Sequence, residues 1–283
     1  MNFVKDYKSV EALRLSFCAL ALETFGISFE PWYQAGYWTD AYMPYSFEVD
    51  GKVVANASAN LMTLIIEGLE FSAIQIGTVM TDPAYRRRGL AFELIGKIID
   101  DFKDQVAFFY LATDEEAVAL YTKCGFKPIP EVKYLWQNPI GSGVSLEPIS
   151  LSLEALIELK MNSALKGAKL EITGDEHILA FYYHHGFDKC IYRHNSGVVL
   201  LAEVGDDGKT LTLYDYFVPQ NVLNFNLFDL LESTGAQTVR FAFDVGGLVV
   251  GLEKRMIEDS GWMVRTMGKS FPEVFSYKTL AQA

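Results

Sequence analysis

The sequence predicts an α/β (α+β) chain of two domains built alike, each a mostly antiparallel mixed sheet flanked by helices. Three observations carry that expectation. A strand meander, a helix, a strand, a helix and further strands follow one another twice along the 283 residues. Asn138 to Val144, rich in Pro, Gly and Ser and without periodicity, separates the two runs. The first run also holds a basic turn, Thr81 to Ala91, between an apolar strand and an amphipathic helix, in a chain of net charge -12.

The elements follow in order. Val10, Leu13, Phe17, Leu20 and Ala21 recur at helical spacing, so the first 25 or so residues are expected to be helix. An aromatic block follows, including Phe29, Trp32, Tyr33 and Trp38; it suits either rings packed on a sheet or the wall of a substrate pocket. Tyr45 to Val49 and Lys52 to Glu67 are strands joined at Asp50-Gly51, and Gly68 turns the chain into a third strand, Glu70 to Thr81. Leu90, Leu94, Ile95, Ile98, Ile99 and Phe102 form one apolar stripe on a helix from about Gly89 to Lys103. A buried strand, Ala107 to Ala112, a helix, Asp114 to Thr122, stopped at Gly125, and a strand through Lys133 to Trp136 complete the first run.

In the second run, Leu151 to Asn162, Asp175 to His185, Val222 to Glu232 and Leu252 to Asp259 are expected as helices. Cys190 to His194, Gly197 to Val204, Thr210 to Phe217, Thr238 to Phe243, Trp262 to Met267 and Glu273 to Tyr277 are expected as strands.

Bulk composition narrows the function classes. Half of the chain is hydrophobic and 21% is charged, which is globular composition. Acidity disfavours nucleic acid and anionic membranes as partners, while leaving room for one small polyanion in a focused positive pocket. Cys18, Cys124 and Cys190 are far apart and unpaired in pattern, so a reducing, cytoplasmic setting is expected. The N-terminus lacks the order of a signal peptide, and no run of about 18 apolar residues predicts a membrane span.

The basic turn is the strongest chemical signal. Main-chain N–H groups are unpaired at a helix start, and the helix dipole favours an anion there. Backbone groups from Arg87 to Ala91 are placed to hold an anion, Gly89 allows close approach, and Arg side chains add charge-assisted contacts. No Lys-Ser/Thr pair follows, so a nucleotide-binding P-loop is a weak alternative. His177, His184, His185 and His194 all lie in the second half without well-spaced companions, so no metal site is expected. Cys124 has no histidine within residues 1–137 to activate it, which favours a buried packing residue over a nucleophile.

Arg86-Arg87-Arg88-Gly89-Leu90-Ala91 resembles the R/Q-x-x-G-x-G/A motif of the GNAT superfamily of acyl-CoA-dependent N-acyltransferases. Val79-Met80-Thr81-Asp82-Pro83 is similar to that family's strand lead-in, and Ala117-Val-Ala-Leu-Tyr121-Thr-Lys-Cys-Gly125-Phe126 to its A-x-x-L-Y-x-K-x-G-F segment. The resemblance implies acetyl-CoA as co-substrate and no metal. Cofactor contacts would come from Val79, Met80, Thr81, Arg86, Arg87, Arg88, Gly89, Leu90, Ala91, Asp114 and Ala117, with Tyr121 as general acid toward the departing thiolate. Asp114 stands where the family often has Asn. Gln75 stands where many relatives carry a basic carboxylate, leaving Glu23, Glu30, Asp40 and Glu70 as open candidates for the base.

The resemblance further implies a catalytic GNAT domain at 1–137, a linker at 138–148 and a degenerate GNAT-like domain at 149–283. Val218 to Val222, where a second cofactor turn would fall, has neither Arg nor Gly. Such a domain is free to cover the acceptor site or to form a homodimer surface. The expected activity is transfer of an acetyl group to the primary amine of a small molecule or peptide, by direct attack. A non-catalytic acyl-CoA-binding regulatory module is the alternative.

Overall fold

The computed structural model describes residues 1–220, 222 and 225–283. The chain runs β1 (Asn2–Lys5), α1 (Glu11–Phe25), α2 (Glu30–Gln34), β2 (Tyr42–Val49), β3 (Lys52–Ile66), β4 (Leu69–Thr81), α3 (Leu90–Phe102), β5 (Phe108–Ala112), α4 (Val118–Lys123) and β6 (Lys127–Pro128). It continues through β7 (Glu131–Gln137), β8 (Glu147–Pro148), α5 (Leu153–Asn162), β9 (Leu170–Thr173), α6 (Glu176–His184), β10 (Ile191–Arg193), β11 (Val199–Val204) and β12 (Thr210–Phe217). The remaining elements are α7 (Leu227–Ser233), β13 (Thr238–Phe241), β14 (Glu253–Ile257) and β15 (Trp262–Thr266).

Two hairpin turns fix the register of the first sheet. Asp50 and Gly51 both have positive φ, as do Glu67 and Gly68, which is the two-residue turn whose twist matches the flanking strands. They place Val49 opposite Lys52 and Ile66 opposite Leu69. The resulting order is β1-β2-β3-β4-β5-β15-β6, with β9 added at the end of β3. The second sheet, in reverse, is β8-β10-β11-β12-β13-β7-β14. The two orders correspond position by position, and each has one parallel pair at its centre, β4 with β5 and β12 with β13.

That correspondence exposes an exchange of strands. Strand β7 pairs with β13 in the second sheet, whereas β15 pairs with β5 in the first. The sheets therefore do not divide at residue 137, where the sequence suggests a boundary. Asn138 to Val144 is also not a loose connection. Asn138 N donates to Gln237 O, Gly143 N to Gly235 O and Val144 N to Gly208 O, and a Cβ on Gly141 would lie 2.6 Å from Ala236 O.

Several local expectations are corrected. Asn2–Lys5 is strand, paired with Tyr45 to Glu48, and helix begins only at Glu11. The helix before Gly125 begins at Val118 rather than Asp114. Glu253–Ile257 is strand: its charged residues favour helix intrinsically, but the free edge of β7 offers backbone partners and leaves those charges exposed. Glu273 to Tyr277 makes one bridge, between Phe275 and Glu131, instead of a strand. The helix expected over Val222 to Glu232 is observed from Leu227, and residues 221, 223 and 224 lie outside the described ones.

The α3 stripe is buried as expected, with Leu90, Leu94, Ile95, Ile98 and Ile99 against one face of the first sheet. On the other face, Phe17, Phe29, Trp32 and Trp38 join Leu156, Leu179, Ala180 and Phe217 of the second half in one core. Trp32 Nε1 donates to the His177 carbonyl at 2.6 Å, so α2 and α6 are locked together across this interface.

Candidate active site

The basic turn is built to keep its backbone donors open. Asp82 accepts from Ala84 N and pairs with Lys52 at 2.7 Å, which starts a single helical turn over Pro83–Tyr85. Arg86 Nε donates to Thr81 O at 3.1 Å and Arg88 to Ala84 O at 2.9 Å, with the Arg88 guanidinium over the Tyr85 ring. Those two side chains brace the loop. Arg87 (φ 63) and Gly89 (φ 80) are left-handed, which turns successive N–H groups toward one side. Helix α3 then starts with no side-chain cap, so the N–H groups of Leu90 and Ala91 lack an acceptor within the helix. Arg86 through Gly89 is exposed. The turn thus presents exposed backbone donors at an uncapped helix start.

Strand β4 supplies the next part. It pairs with β5 only through Ala73, Ile74 and Gln75, after which the two strands part. On its other side the ladder shifts between Asn56 and Ser58, so the backbone of Thr78 and Val79 bulges out of register. Thr78 has φ 48, a conformation costly for a β-branched residue. Asn56 Nδ2 donates to Thr78 O at 2.8 Å and Tyr42 Oη to Thr78 Oγ1 at 3.0 Å, which hold the bulge in place. Val79 to Thr81 therefore lie beyond the pairing of β4 with β5, and Met80 is buried.

Helix α4 joins α3 and Val79 in one core. Tyr121 is buried against Phe126, and burial, with smaller contributions from Asp114 and Cys124, pushes its hydroxyl up to about 12. Asp114 is exposed and accepts from Ala117 N at 3.0 Å, so it caps the turn that leads into α4. Cys124 is buried, and burial raises its thiol.

The aromatic block divides between a small cavity and the core. Phe29 and Trp32 line a cavity of about 40 Å³ with Tyr42, Asn60, Thr78 and His177, while Gln282 and Ala283 close it. Tyr33 instead stacks under the Arg14 guanidinium, and Trp38 packs inside the shared core. Gln75 donates to Tyr277 Oη at 3.0 Å and accepts from Ala283 N at 2.8 Å. A Cβ at Gly77 would lie 2.8 Å from the Ala283 carbonyl carbon. None of the four open carboxylates lines this cavity: Glu30 is paired with Arg14, Asp40 with Lys8 at the surface, and Glu23 and Glu70 are exposed. The sequence points to His177 only as a metal ligand it sets aside and does not single out Asn60, although polar Asn56, Ser58 and Asn60 alternate within a largely apolar strand.

A wider cleft of about 430 Å³ lies beyond Gln282, lined by Thr113, Asp114, Glu131, Lys133 and Tyr277. The segment bearing Gln282 is anchored by a buried ionic chain. Lys278 bridges Asp175 at 3.0 Å and Asp215 at 2.9 Å, Lys160 joins Asp175 at 2.6 Å and Lys166 joins Asp215 at 2.8 Å. These cations hold both carboxyls below the usual range despite full burial. The second sheet retains a ladder shift at Tyr214, matching the bulge of β4.

His184 and His185 are exposed at the end of α6, and His194 bonds Ser196 and Ser233. Among the described residues, no group of three or more His, Cys, Asp or Glu is placed to hold a metal, and no helix is long and apolar enough to cross a membrane.

Residues 15–126 match the model of the acetyltransferase (GNAT) family. No curated protein matches the sequence. Among solved structures, Eis1 from Mycobacterium abscessus aligns at TM-score 0.61 and 13% identity, over 95% of this chain and 74% of that one. A probable N-acyltransferase from Enterococcus faecalis aligns at 0.58 and 15%, over 94% and 72%. A GCN5-related N-acetyltransferase from Anabaena variabilis aligns at 0.58 and 17%, over 94% and 73%. At these identities the likeness is one of fold, and it extends across both sheets. The matched segment, residues 15–126, is similar to the acetyltransferase (GNAT) family and contains the basic turn, the bulged strand and Tyr121.

Proposed function

We propose that this protein transfers an acetyl group from acetyl-CoA to a primary amine by direct attack. The observation that carries the reading is the run from bulged β4 into an uncapped, braced helix start, which suits a long thioester ending in a diphosphate. Backbone N–H groups of Arg87 to Ala91 would hold the diphosphate, and Arg87, which neither braces the loop nor stacks on Tyr85, would add charge. Val79 and Thr81 would pair with the arm of acetyl-CoA, and Asp114 and Ala117 would shape the wall opposite. Acetyl-CoA supplies the activated acyl group and a thiolate leaving group. Main-chain N–H groups at the bulge would stabilise negative charge on the acyl oxygen. Holding amine and thioester together provides much of the rate. Tyr121, kept protonated by its burial, would donate to the departing sulfur.

On this reading the catalytic unit is built largely from residues 1–137, and the rest is a GNAT-like unit without a cofactor turn that covers the acceptor side. The test is thiol release from acetyl-CoA across an amine series. Tyr121→Phe should lower kcat about 100-fold with little change in the KM for acetyl-CoA; unchanged kcat removes Tyr121 from the acid role. The alternative is an acyl-CoA-binding regulatory module. Gln75, which cannot titrate and is engaged by Tyr277 and Ala283, favours it. Tight acetyl-CoA binding by calorimetry with no transfer to any amine would establish that alternative.

A further inference from the structure

The cavity beside the bulge contains two polar atoms that the fold leaves without partners. Asn60 is fully buried and Nδ2 donates to Gln75 O, but Oδ1 accepts nothing. His177 is 3% exposed, and its Nε2 is likewise unpartnered. With the ring proton on Nδ1, Nε2 carries the lone pair. Burial keeps the ring neutral, with its pKa down to about 4. Asn60 and His177 line one cavity, and each unpaired buried atom costs about 1–3 kcal/mol.

We propose that this cavity is the acceptor-amine subsite, in which Asn60 Oδ1 and His177 Nε2 accept the two N–H groups of an unbranched primary amine. The inference rests on the acyl-transfer reading above and names the substrate class of that same site. A neutral primary amine has two N–H donors and one lone pair. With both donors held, the lone pair is left to face Thr78, where the acyl group would lie. The cavity of about 40 Å³ has room for an aminomethyl group. Phe29, Trp32 and Phe181 form the apolar wall around it, so a branch on the carbon next to nitrogen meets a ring. A secondary amine has one N–H and leaves one acceptor unpaired. The second half of the chain thus contributes a binding residue, His177 on α6, to a site whose acyl-donor side is built by the first half.

The experiment uses the full chain with acetyl-CoA and three probes: n-butylamine, sec-butylamine and N-methylbutylamine. The expected result is a kcat/KM for n-butylamine roughly tenfold or more above each of the others. His177→Leu and Asn60→Leu should each raise the KM for n-butylamine roughly tenfold, the equivalent of one lost hydrogen bond. The second readout is the ¹⁵N resonance of His177 Nε2 in the coenzyme A complex, which should move on adding n-butylamine and stay still with N-methylbutylamine. Equal kcat/KM for the three amines, or an unmoved KM in both variants, overturns the subsite and leaves acetyl transfer standing; the cavity then holds a buried water. A moved resonance with no acetylation refutes acetyl transfer and upholds the subsite. Neither transfer nor a moved resonance overturns both.

Discussion

Acidification should weaken the fold through His177 before it affects Asp175 or Asp215. The ring is held neutral in the folded protein, with its pKa down from 6.5 to about 4. The unfolded chain therefore takes up the proton first. The stabilisation is fully present above pH 6.5, declines as pH falls toward 4, and is gone below it. The gap between 6.5 and about 4, at about 1.4 kcal/mol per pH unit, amounts to about 3 kcal/mol. Asp175 and Asp215 are held below the usual carboxylate range, so their contributions are lost only at lower pH. Urea unfolding followed by tryptophan fluorescence, at steps from pH 7.5 to 4, measures the effect. The stability difference between wild type and His177→Leu should shrink by about 3 kcal/mol across that range. Parallel curves for the two proteins would refute the assignment of a buried neutral imidazole.

Two further outcomes follow from the segment that carries Lys278. Lys278→Met leaves two buried carboxylates with one cation each, and should destabilise the protein by about 3–5 kcal/mol in chemical denaturation; a loss below about 1 kcal/mol would show that Lys160 and Lys166 suffice. Gly77→Ala places a methyl group 2.8 Å from the Ala283 backbone and must displace it. Calorimetric binding of coenzyme A should persist while the KM for the amine changes severalfold, and an unaltered amine KM would show that residues 282–283 do not shape the acceptor side.

Much of the donor side was legible because it is local. The strand, the arginine turn and the helix stripe lie within about 35 residues, and Asp50-Gly51 and Gly68 announce their turns by residue type alone. The cavity proposed for the acceptor was not legible, because Asn60 and His177 line it together only through packing of α6 on the first sheet. A buried histidine beside two others on a helix suggests solvation or metal, and nothing in its neighbours reveals that it lines a cavity. The aromatic block was half legible: Phe29 and Trp32 reach the cavity, while Tyr33 and Trp38 serve Arg14 and the shared core. Leu252 to Asp259 was misread because charged helix formers also suit an exposed edge strand, and only the free edge of β7 decides between them.

The exchange of β7 and β15 bears on how the protein can be made. The sheet that carries the basic turn is completed when Ala112 finds Trp262, across most of the later chain. Contacts so distant in sequence form slowly. During synthesis, residues 1–137 would leave the ribosome with the outer edge of β5 bare and β7 without its sheet. A donor half expressed alone would present both as templates for association with another copy. The sheet that carries the basic turn is thus complete only once Thr266 has paired with Phe108, so on the acyl-transfer reading the catalytic unit waits for the later chain to fold back.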